Sequence, residues 1–140
     1  MTSTNPIKIA QIDHVVLRAK NIKSMVAFYR DVLGCKVVKH NEPLGLFHLK
    51  AGSSLIDIID MKGKLGAVGG KAPGKDRHNV DHFALRVKEF DDRALRRHLR
   101  GHGVKLGDTV TRFGAKGDGK SLYLWDPEGN GLELKGPTDG

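Results

Sequence analysis

Two stretches of the chain, almost half its length apart, share one pattern of apolar and polar positions. Residues 12–20 read Ile-Asp-His-Val-Val-Leu-Arg-Ala-Lys, and residues 80–88 read Val-Asp-His-Phe-Ala-Leu-Arg-Val-Lys. The alternation of apolar and polar residues predicts a strand in each stretch. Asp, His, Leu, Arg and Lys recur at identical spacing, which is improbable by chance. The sequence therefore indicates an internal duplication.

The residues after each repeat predict one helix per half. In the first half, apolar residues spaced three and four apart predict a helix over 22–33, with Gly34 as its left-handed C-cap. In the second half, Asp91 is expected to cap a helix that carries Leu95 and Leu99.

Short β-type runs complete each half, so the predicted order is βαβββ twice. They lie at 35–40, 45–50 and 54–61 in the first half and at 104–107, 109–113, 121–125 and 131–135 in the second. We expect an α+β fold, a single domain over 1–140 whose tandem βαβββ modules form curved mixed sheets around a concave site. The modules are assigned to residues 10–61 and 79–136, joined by a Gly- and Lys-rich connector over 62–78.

Composition favours a soluble globular protein. The chain has 140 residues, of which 39% are hydrophobic and 29% charged, and no apolar run approaches the roughly 20 residues that span a bilayer. The N-terminus lacks the basic and apolar regions of an export signal, and a single cysteine, Cys35, excludes an internal disulfide. We therefore expect a cytoplasmic protein that acts apart from membranes.

The charge balance raises the question of a nucleic-acid partner. The net charge is +8, from 24 Lys and Arg against 16 Asp and Glu. The positive residues are scattered, however, and one Trp, two Tyr and five Phe form no recognition motif. The sequence predicts no binding to nucleic acid.

Four side chains of the duplicated pattern could hold a metal ion. His14 and His82 occupy the same position in the two repeats, while Asp57 and Glu133 each lie among apolar residues in the last strand of a half. A carboxylate buried there is costly unless it is paired or bound to a cation. Two imidazoles and two carboxylates suit Zn²⁺, Mn²⁺, Ni²⁺ or Fe²⁺. Asp60, on the opposite face of its strand, is the alternative to Asp57.

Several motifs from both halves occur together in one known group of proteins. They are Asp-His-Val-Val-Leu at 13–17, Ala-Phe-Tyr-Arg-Asp-Val-Leu-Gly at 27–34, Asp-His-Phe-Ala-Leu at 81–85, and Tyr-Leu-Trp-Asp-Pro-Glu-Gly-Asn at 123–130 followed by Leu-Glu-Leu at 132–134. The set resembles the vicinal oxygen chelate superfamily, which includes glyoxalase I, fosfomycin-modifying enzymes, methylmalonyl-CoA epimerase, extradiol dioxygenases and bleomycin-binding proteins. The resemblance spans about residues 10–136 and does not single out one activity.

The resemblance implies a divalent metal held by His14, His82 and Glu133, with Asp57 where glyoxalase I carries a second glutamate. It also implies a homodimer in which His14 and Asp57 of one chain meet His82 and Glu133 of the other. The metal would bind neighbouring oxygens of a small substrate and stabilise charge on them, as in an enediolate. Glu133 is the expected catalytic base for a proton next to a carbonyl.

A metal-dependent lyase or isomerase like glyoxalase I is the function that this resemblance favours. Arg18 stands in the His-x-x-x-Arg register in which glyoxalase I has an arginine that holds a glutathione carboxylate, so it is a predicted substrate contact. Alternatively, Arg18 and Arg86 are surface residues that bind no substrate.

A fosfomycin-type thiol transferase is the second interpretation. Ser121 and Tyr123 fit the pattern of those enzymes before Asp-Pro, and Tyr123 is a predicted substrate contact. Val16, however, stands where they have a threonine that contacts the phosphonate, Gly117 replaces a serine of their potassium loop, and the chain ends before their C-terminal arginine. An extradiol dioxygenase, which usually carries four modules per chain, and a ligand-sequestering protein of the bleomycin-binding kind, which lacks the metal ligands, are further alternatives.

Other motifs are assigned no chemistry. Residues 69–76 resemble the phosphate-binding loop motif, but Asp76 replaces the hydroxyl residue that would hold Mg²⁺. The segment Arg-Phe-Gly-Ala-Lys-Gly at 112–117 resembles a loop of an uncharacterised glyoxalase-domain subgroup, and it is either a contact for an anionic substrate or a surface turn. The histidines without a counterpart in the repeat are expected to be structural or on the surface, namely His40, His48, His78, His98 and His102.

Overall fold

A computed structural model describes residues 5–74 and 76–138, and their strands form two four-stranded sheets. The first half contains β1 (His14–Ala19), α1 (Ile22–Ala27), β2 (Lys36–Asn41), β3 (Leu46–Ala51) and β4 (Ser54–Asp60), and the connector contains α2 (Lys64–Val68). The second half contains β5 (His82–Arg86), α3 (Asp92–Gly101), β6 (Lys105–Gly114), β7 (Gly117–Trp125) and β8 (Gly131–Thr138). The strand orders are β1-β4-β3-β2 and β5-β8-β7-β6.

Both sheets have the same topology. The first strand of each half lies parallel to the last, β1 beside β4 and β5 beside β8, and all other neighbouring strands are antiparallel. The predicted α+β fold with two βαβββ modules is therefore confirmed.

Alternation along the strands separates a core face from a second face in each sheet. In β1, Leu17 and Ala19 are fully buried while His14 and Val16 are exposed. Buried apolar side chains of both halves belong to one hydrophobic cluster, in which Leu132 and Leu134 of β8 take part. Burying each such leucine stabilises the fold by about 1.5–3 kcal/mol. The predicted site residues lie on the face of each sheet opposite to these core residues.

Polar contacts also join the two halves. The hydroxyl of Tyr29 donates to the buried carboxylate of Asp126 over 2.8 Å. Glu128, in the turn between β7 and β8, accepts from the backbone N–H groups of Lys20 and Asn21 over 2.8 and 2.7 Å. The two bonds to Glu128 satisfy the N–H of Asn21, the N-cap of α1, and the N–H of Lys20 before it.

Local predictions were correct at the helix caps. Gly34 has a φ of 81° after the first helix, as its left-handed C-cap position requires. The side chain of Asp91 accepts from the N–H of Ala94, as predicted for an N-cap.

Several element boundaries differ from the sequence-based prediction. The helix expected over 22–33 is α1 followed by a π-helical turn, Phe28–Val32. The two strands expected at 104–107 and 109–113 form the single strand β6, whose register shifts between Leu106 and Thr109. The connector, predicted as a loop, contains α2. None of the helices in the described residues has the length and apolar character needed to cross a membrane.

Candidate functional site

The second module brings two predicted ligands together. Because β5 and β8 are parallel neighbours and Ala84 pairs with Glu133, the side chains of His82 and Glu133 lie on one face of the sheet. His82 Nε2 lies 3.4 Å from Glu133 Oε2. The imidazole is partly exposed and the carboxylate is buried.

Further hydrogen bonds fix both side chains. His82 Nδ1 lies 2.6 Å from Asp81 Oδ2, so the Nδ1–H donates to that carboxylate and Nε2 is left facing Glu133. Ser121 Oγ donates to Glu133 Oε1 over 2.5 Å. Nε2 therefore faces Oε2: a proton on Nε2 makes an ion pair with Glu133, and without that proton both atoms are available to a cation. A histidine oriented in this way by a carboxylate is typical of metal sites.

The first module repeats half of this arrangement. His14 Nδ1 lies 2.8 Å from Asp13 Oδ2, which again leaves Nε2 as the free nitrogen. The hydrogen bond to Asp13 raises the pKa of His14 above its ordinary value of 6.5. Desolvation opposes this rise, and the negative charges of Asp57 and Asp13 add smaller contributions to it. Asp57 lies on the same face because it pairs with Val16, two residues after His14.

Asp57 has a partner that the sequence did not predict. His48 Nδ1 lies 2.9 Å from Asp57 Oδ1, across the neighbouring strands β3 and β4. Asp57 is only 4% exposed, so this bond satisfies a carboxylate that would otherwise be costly to bury. The sequence indicated only a structural or surface role for His48, and the structure shows which residue it supports. Only the register of the β3–β4 hairpin, which joins residues 46–51 to 54–59, could have revealed the pair.

Asp60, the alternative to Asp57, has a different role. Its Oδ1 accepts from the backbone N–H of Lys62 over 2.9 Å, in the turn that follows β4. This bond shapes the entry to the connector, and Asp60 lies on the face of β4 opposite to Asp57.

Tyr123 occupies the place in the second module that His48 occupies in the first. It pairs with Glu133 across β7 and β8, as His48 pairs with Asp57. The rings of Tyr123 and His82 lie edge to face with centroids 6.1 Å apart. Tyr123 is thus beside the predicted ligands, where a substrate contact would have to be.

Arg18 contacts the connector. Its Nη2 donates to the carbonyl oxygens of Gly70 and Lys71 over 2.7 and 2.8 Å, and its Nε lies 3.1 Å from the sulfur of Met61. A guanidinium with these partners holds the connector against β1. A role for Arg18 in substrate binding remains a prediction.

The two pairs of predicted ligands lie on separate sheets. His14 and Asp57 belong to the first, His82 and Glu133 to the second, and no cluster of three or more His, Cys, Asp or Glu side chains within residues 5–74 and 76–138 could hold a metal ion. A cavity of about 860 Å³ opens between the modules and reaches His14 but not the other three residues. Within the described residues, the four predicted ligands therefore form two separate pairs, one on each sheet.

Comparison with known proteins identifies the family. A model of the Glyoxalase/Bleomycin resistance protein/Dioxygenase superfamily matches residues 11–134. Metallothiol transferase FosB of Staphylococcus saprophyticus is 25% identical over 127 residues, which cover 90% of this chain and 76% of that protein.

Solved structures share the fold. An integron cassette protein from V. cholerae is 26% identical with a TM-score of 0.75, covering 94% of this chain and 98% of that one. Lactoylglutathione lyase from Agrobacterium tumefaciens is 22% identical with a TM-score of 0.65, covering 94% and 96% of the two chains. The duplicated βαβββ modules, the histidine and carboxylate that each carries, and the match over residues 11–134 show that the chain belongs to the Glyoxalase/Bleomycin resistance protein/Dioxygenase superfamily.

Proposed function

We propose that the protein is a metal-dependent lyase or isomerase like glyoxalase I, which acts on a small oxygenated substrate in the cytoplasm. The observation that carries the proposal is the contact of His82 Nε2 with Glu133 Oε2 over 3.4 Å. Each of these atoms belongs to a side chain whose other polar atom is already bonded, to Asp81 and to Ser121 respectively. The two free acceptor atoms fit one divalent cation, Zn²⁺, Ni²⁺, Mn²⁺ or Fe²⁺.

A complete site requires both halves of the ligand set. His14 and Asp57 contribute the same ligand types as His82 and Glu133, but they lie on the other sheet of the same chain. A two-fold symmetric homodimer supplies the missing half twice, because each contact between two copies recurs with the roles exchanged. His14 and Asp57 of one protomer would then meet His82 of the partner subunit and the partner's Glu133.

Glu133 is suited to move a proton. When bound, the metal would supply Lewis-acid stabilisation of the negative charge that develops on neighbouring substrate oxygens, as in an enediolate. Oε2 would act as the base once substrate oxygens take its place as ligand: it would take the proton from the carbon next to the carbonyl and return it to the adjacent carbon, while the hydroxyl proton passes from one substrate oxygen to the other. The bond from Ser121 to Oε1 holds the carboxylate in one orientation, and burial of Glu133 keeps water from competing for the proton.

Thiol transfer to an epoxide such as fosfomycin is the second candidate. The relative named metallothiol transferase FosB covers 90% of this chain, and Ser121 and Tyr123 both neighbour Glu133. The attacking thiol would come from a co-substrate, because burial raises the pKa of the Cys35 thiol above its ordinary value of 9.0 and keeps it protonated.

Turnover separates these candidates. Protein loaded in turn with Zn²⁺, Ni²⁺, Mn²⁺ and Fe²⁺ is given the hemithioacetal of methylglyoxal and glutathione, or glutathione with fosfomycin, with Glu133→Gln as the control. We expect isomerisation of the hemithioacetal that Glu133→Gln loses. Conjugation of fosfomycin without isomerisation would replace the proposal with thiol transfer, and cleavage of a catechol with oxygen uptake by the Fe²⁺ form would replace it with an extradiol dioxygenase. Tight binding of bleomycin by metal-free protein would indicate a sequestering function.

A further inference from the structure

The segment that precedes β1 exposes three isoleucines. Residues 5–13 of the described chain form neither helix nor strand, and Ile7, Ile9 and Ile12 are 69%, 86% and 78% exposed. Ile7 and Ile9 are two residues apart, so in an extended chain their side chains lie on one side, while Lys8 lies on the other. Exposed apolar side chains that cluster in this way are typical of a surface that another molecule covers.

Hydrogen bonds hold the end of this segment at the turn between β3 and β4. Ser54 Oγ donates to the carbonyl oxygen of Ile12 over 2.8 Å, and the N–H of Leu55 donates to the carbonyl oxygen of Asp13 over 3.0 Å. Residues 7–12 read Ile-Lys-Ile-Ala-Gln-Ile, without the Gly, Pro, Asn or Asp that favour a reversal of the chain. At about 3.3 Å per residue, this stretch reaches about 16 Å from its anchor when extended. All of it is exposed, so its own chain does not cover the isoleucines.

The cavity between the two modules has a matching apolar character. Its walls come from the core side of both sheets and from α3, and they include Val15, Ile56, Phe83, Leu95, Leu99 and Leu134. Protein interiors are close-packed, with few voids larger than a water molecule. A cavity of about 860 Å³ among core residues is therefore expected to receive an apolar group.

The segment and the cavity meet at Ile12. This residue lines the cavity and is itself exposed, so it lies at the mouth, and residues 7–11 leave the protein from there. A second copy, related by a two-fold axis near the mouth, presents its cavity to this segment and its own segment to this cavity. One contact is then made twice, and the isoleucines of both segments leave water.

We propose that residues 7–12 of one protomer insert Ile7 and Ile9 into the cavity of a second copy of the chain, and that the exchange is reciprocal. The inference goes beyond the proposed function, which requires a dimer but identifies no contact between protomers outside the metal site. The cavity is accordingly a receptor for a segment of the protein itself, not a pocket for a free ligand.

A disulfide tests the contact directly, because Cys35 is the single cysteine of the chain and lines the cavity. Full-length Ile7→Cys and Ile9→Cys proteins are oxidised separately with diamide, which takes up the two protons and two electrons that a pair of thiols releases. We expect at least one of them to form a covalent dimer on a non-reducing gel, with the new thiol linked to the partner's Cys35 in peptides identified by mass spectrometry. Val68→Cys places a thiol at another exposed apolar position and is the matched control, which should give no link to Cys35.

The strength of association tests the apolar contact. Ile7→Ser combined with Ile9→Ser should raise the Kd of the dimer about a hundredfold or more in analytical ultracentrifugation, because buried isoleucines of both segments return to water. Both residues are exposed within the protomer, so the circular dichroism should match wild type. Lys8→Ser changes the other side of the same segment and should leave the Kd unchanged. The dye anilinonaphthalene sulfonate, which fluoresces in apolar cavities, should bind the double variant and be excluded from the wild-type dimer.

Several results would overturn the inference. A link to Cys35 within one chain means that the segment fills its own cavity. Monomeric wild-type protein, the absence of any link from either position, or a wild-type Kd in the double variant removes the exchange. Equal dye binding by wild type and double variant assigns the cavity to a free ligand.

Measurements on metal-free and Zn²⁺-loaded protein separate this inference from the proposed function. Linked dimers of a protein that retains no metal would leave the exchange standing while the proposed function fails. Metal retention in a double variant that dimerises like wild type would give the reverse.

Discussion

His82 Nε2 and Glu133 Oε2 lie 3.4 Å apart because strand register places both residues on one face, where Asp81 and Ser121 hold the two side chains. The residue two positions after His82 pairs with Glu133 in the parallel strands β5 and β8, and the residue two positions after His14 pairs with Asp57 in β1 and β4. The duplication therefore conserves the relationship between each histidine and its carboxylate, and Asp57 is the structural counterpart of Glu133.

Removal of either histidine should abolish metal retention. His14→Ala and His82→Ala each delete one nitrogen ligand, and both side chains are partly exposed, so the fold should remain. We expect purified, dialysed variants to contain no stoichiometric metal by elemental analysis while their circular dichroism matches wild type. His78→Ala, which changes an exposed histidine outside the repeat, is the control. Full metal occupancy in either site variant would contradict the ligand assignment.

Mixing the two variants tests whether the site is shared between chains. In a heterodimer of His14→Ala with His82→Ala, a shared site leaves one ligand set intact and concentrates both substitutions in the other. Co-refolding differently tagged chains and isolating the mixed species should therefore recover about half of the wild-type metal content. A site built within one chain would be damaged in both protomers, and the mixed dimer would then stay empty.

His48 should act on metal binding through Asp57. Its Nδ1 holds Asp57 Oδ1 over 2.9 Å, and loss of such an orienting partner typically weakens metal affinity by about 10–100-fold. We expect competition with a chelating dye to detect this loss in His48→Ala. His40→Ala, which removes an imidazole stacked on Phe47 in the adjacent strands, is the control. Wild-type affinity in His48→Ala would mean that Asp57 needs no support, or is not a ligand.

The helices and strands could be predicted from the sequence because the duplication repeats their pattern in both halves. Their boundaries were harder to predict, since they depend on tertiary contacts. The register of β6 shifts between Leu106 and Thr109, where Gly107 lies against the ring of Trp125 and a Cβ would come within 3.1 Å. The strands predicted at 104–107 and 109–113 therefore continue as one. The helix α2 forms where Gly66 packs against the carbonyl of Asp60, a contact with no signal in the connector sequence.

The site was predictable only where it repeats. His14, His82, Asp57 and Glu133 could be proposed because each has a counterpart in the other half. His48 has none, since Tyr123 takes its place, and its contact with Asp57 follows from cross-strand register rather than from spacing along the chain.

The raised pKa of Tyr29 should lower the free energy of unfolding at alkaline pH. Burial raises the pKa of Tyr29 well above the ordinary value of 10.0, and the negative charge of Asp126 and the hydrogen bond to it raise the pKa further. As the pH rises past 10.0, the unfolded chain releases the phenol proton while the folded chain keeps it, so the free energy of unfolding falls. Below that pH the contribution of Tyr29 is fully present.

Urea unfolding between about pH 8 and about pH 11 measures this effect. Tyr29→Phe should be less stable than wild type by about 1–3 kcal/mol at the lower pH, because Asp126 loses a buried donor. The difference should shrink as the pH rises. Tyr123→Phe, which changes the other tyrosine of the chain, is the control. Parallel pH profiles for wild type and Tyr29→Phe would contradict the prediction.

The contact of Arg18 with the connector makes the two modules unequal at a repeated position. Arg18 Nη2 donates to the carbonyl oxygens of Gly70 and Lys71, whereas Arg86, the matching residue of the second repeat, makes no hydrogen bond to the described part of the connector. The same substitution at the two arginines should therefore loosen the connector only when it is made at Arg18.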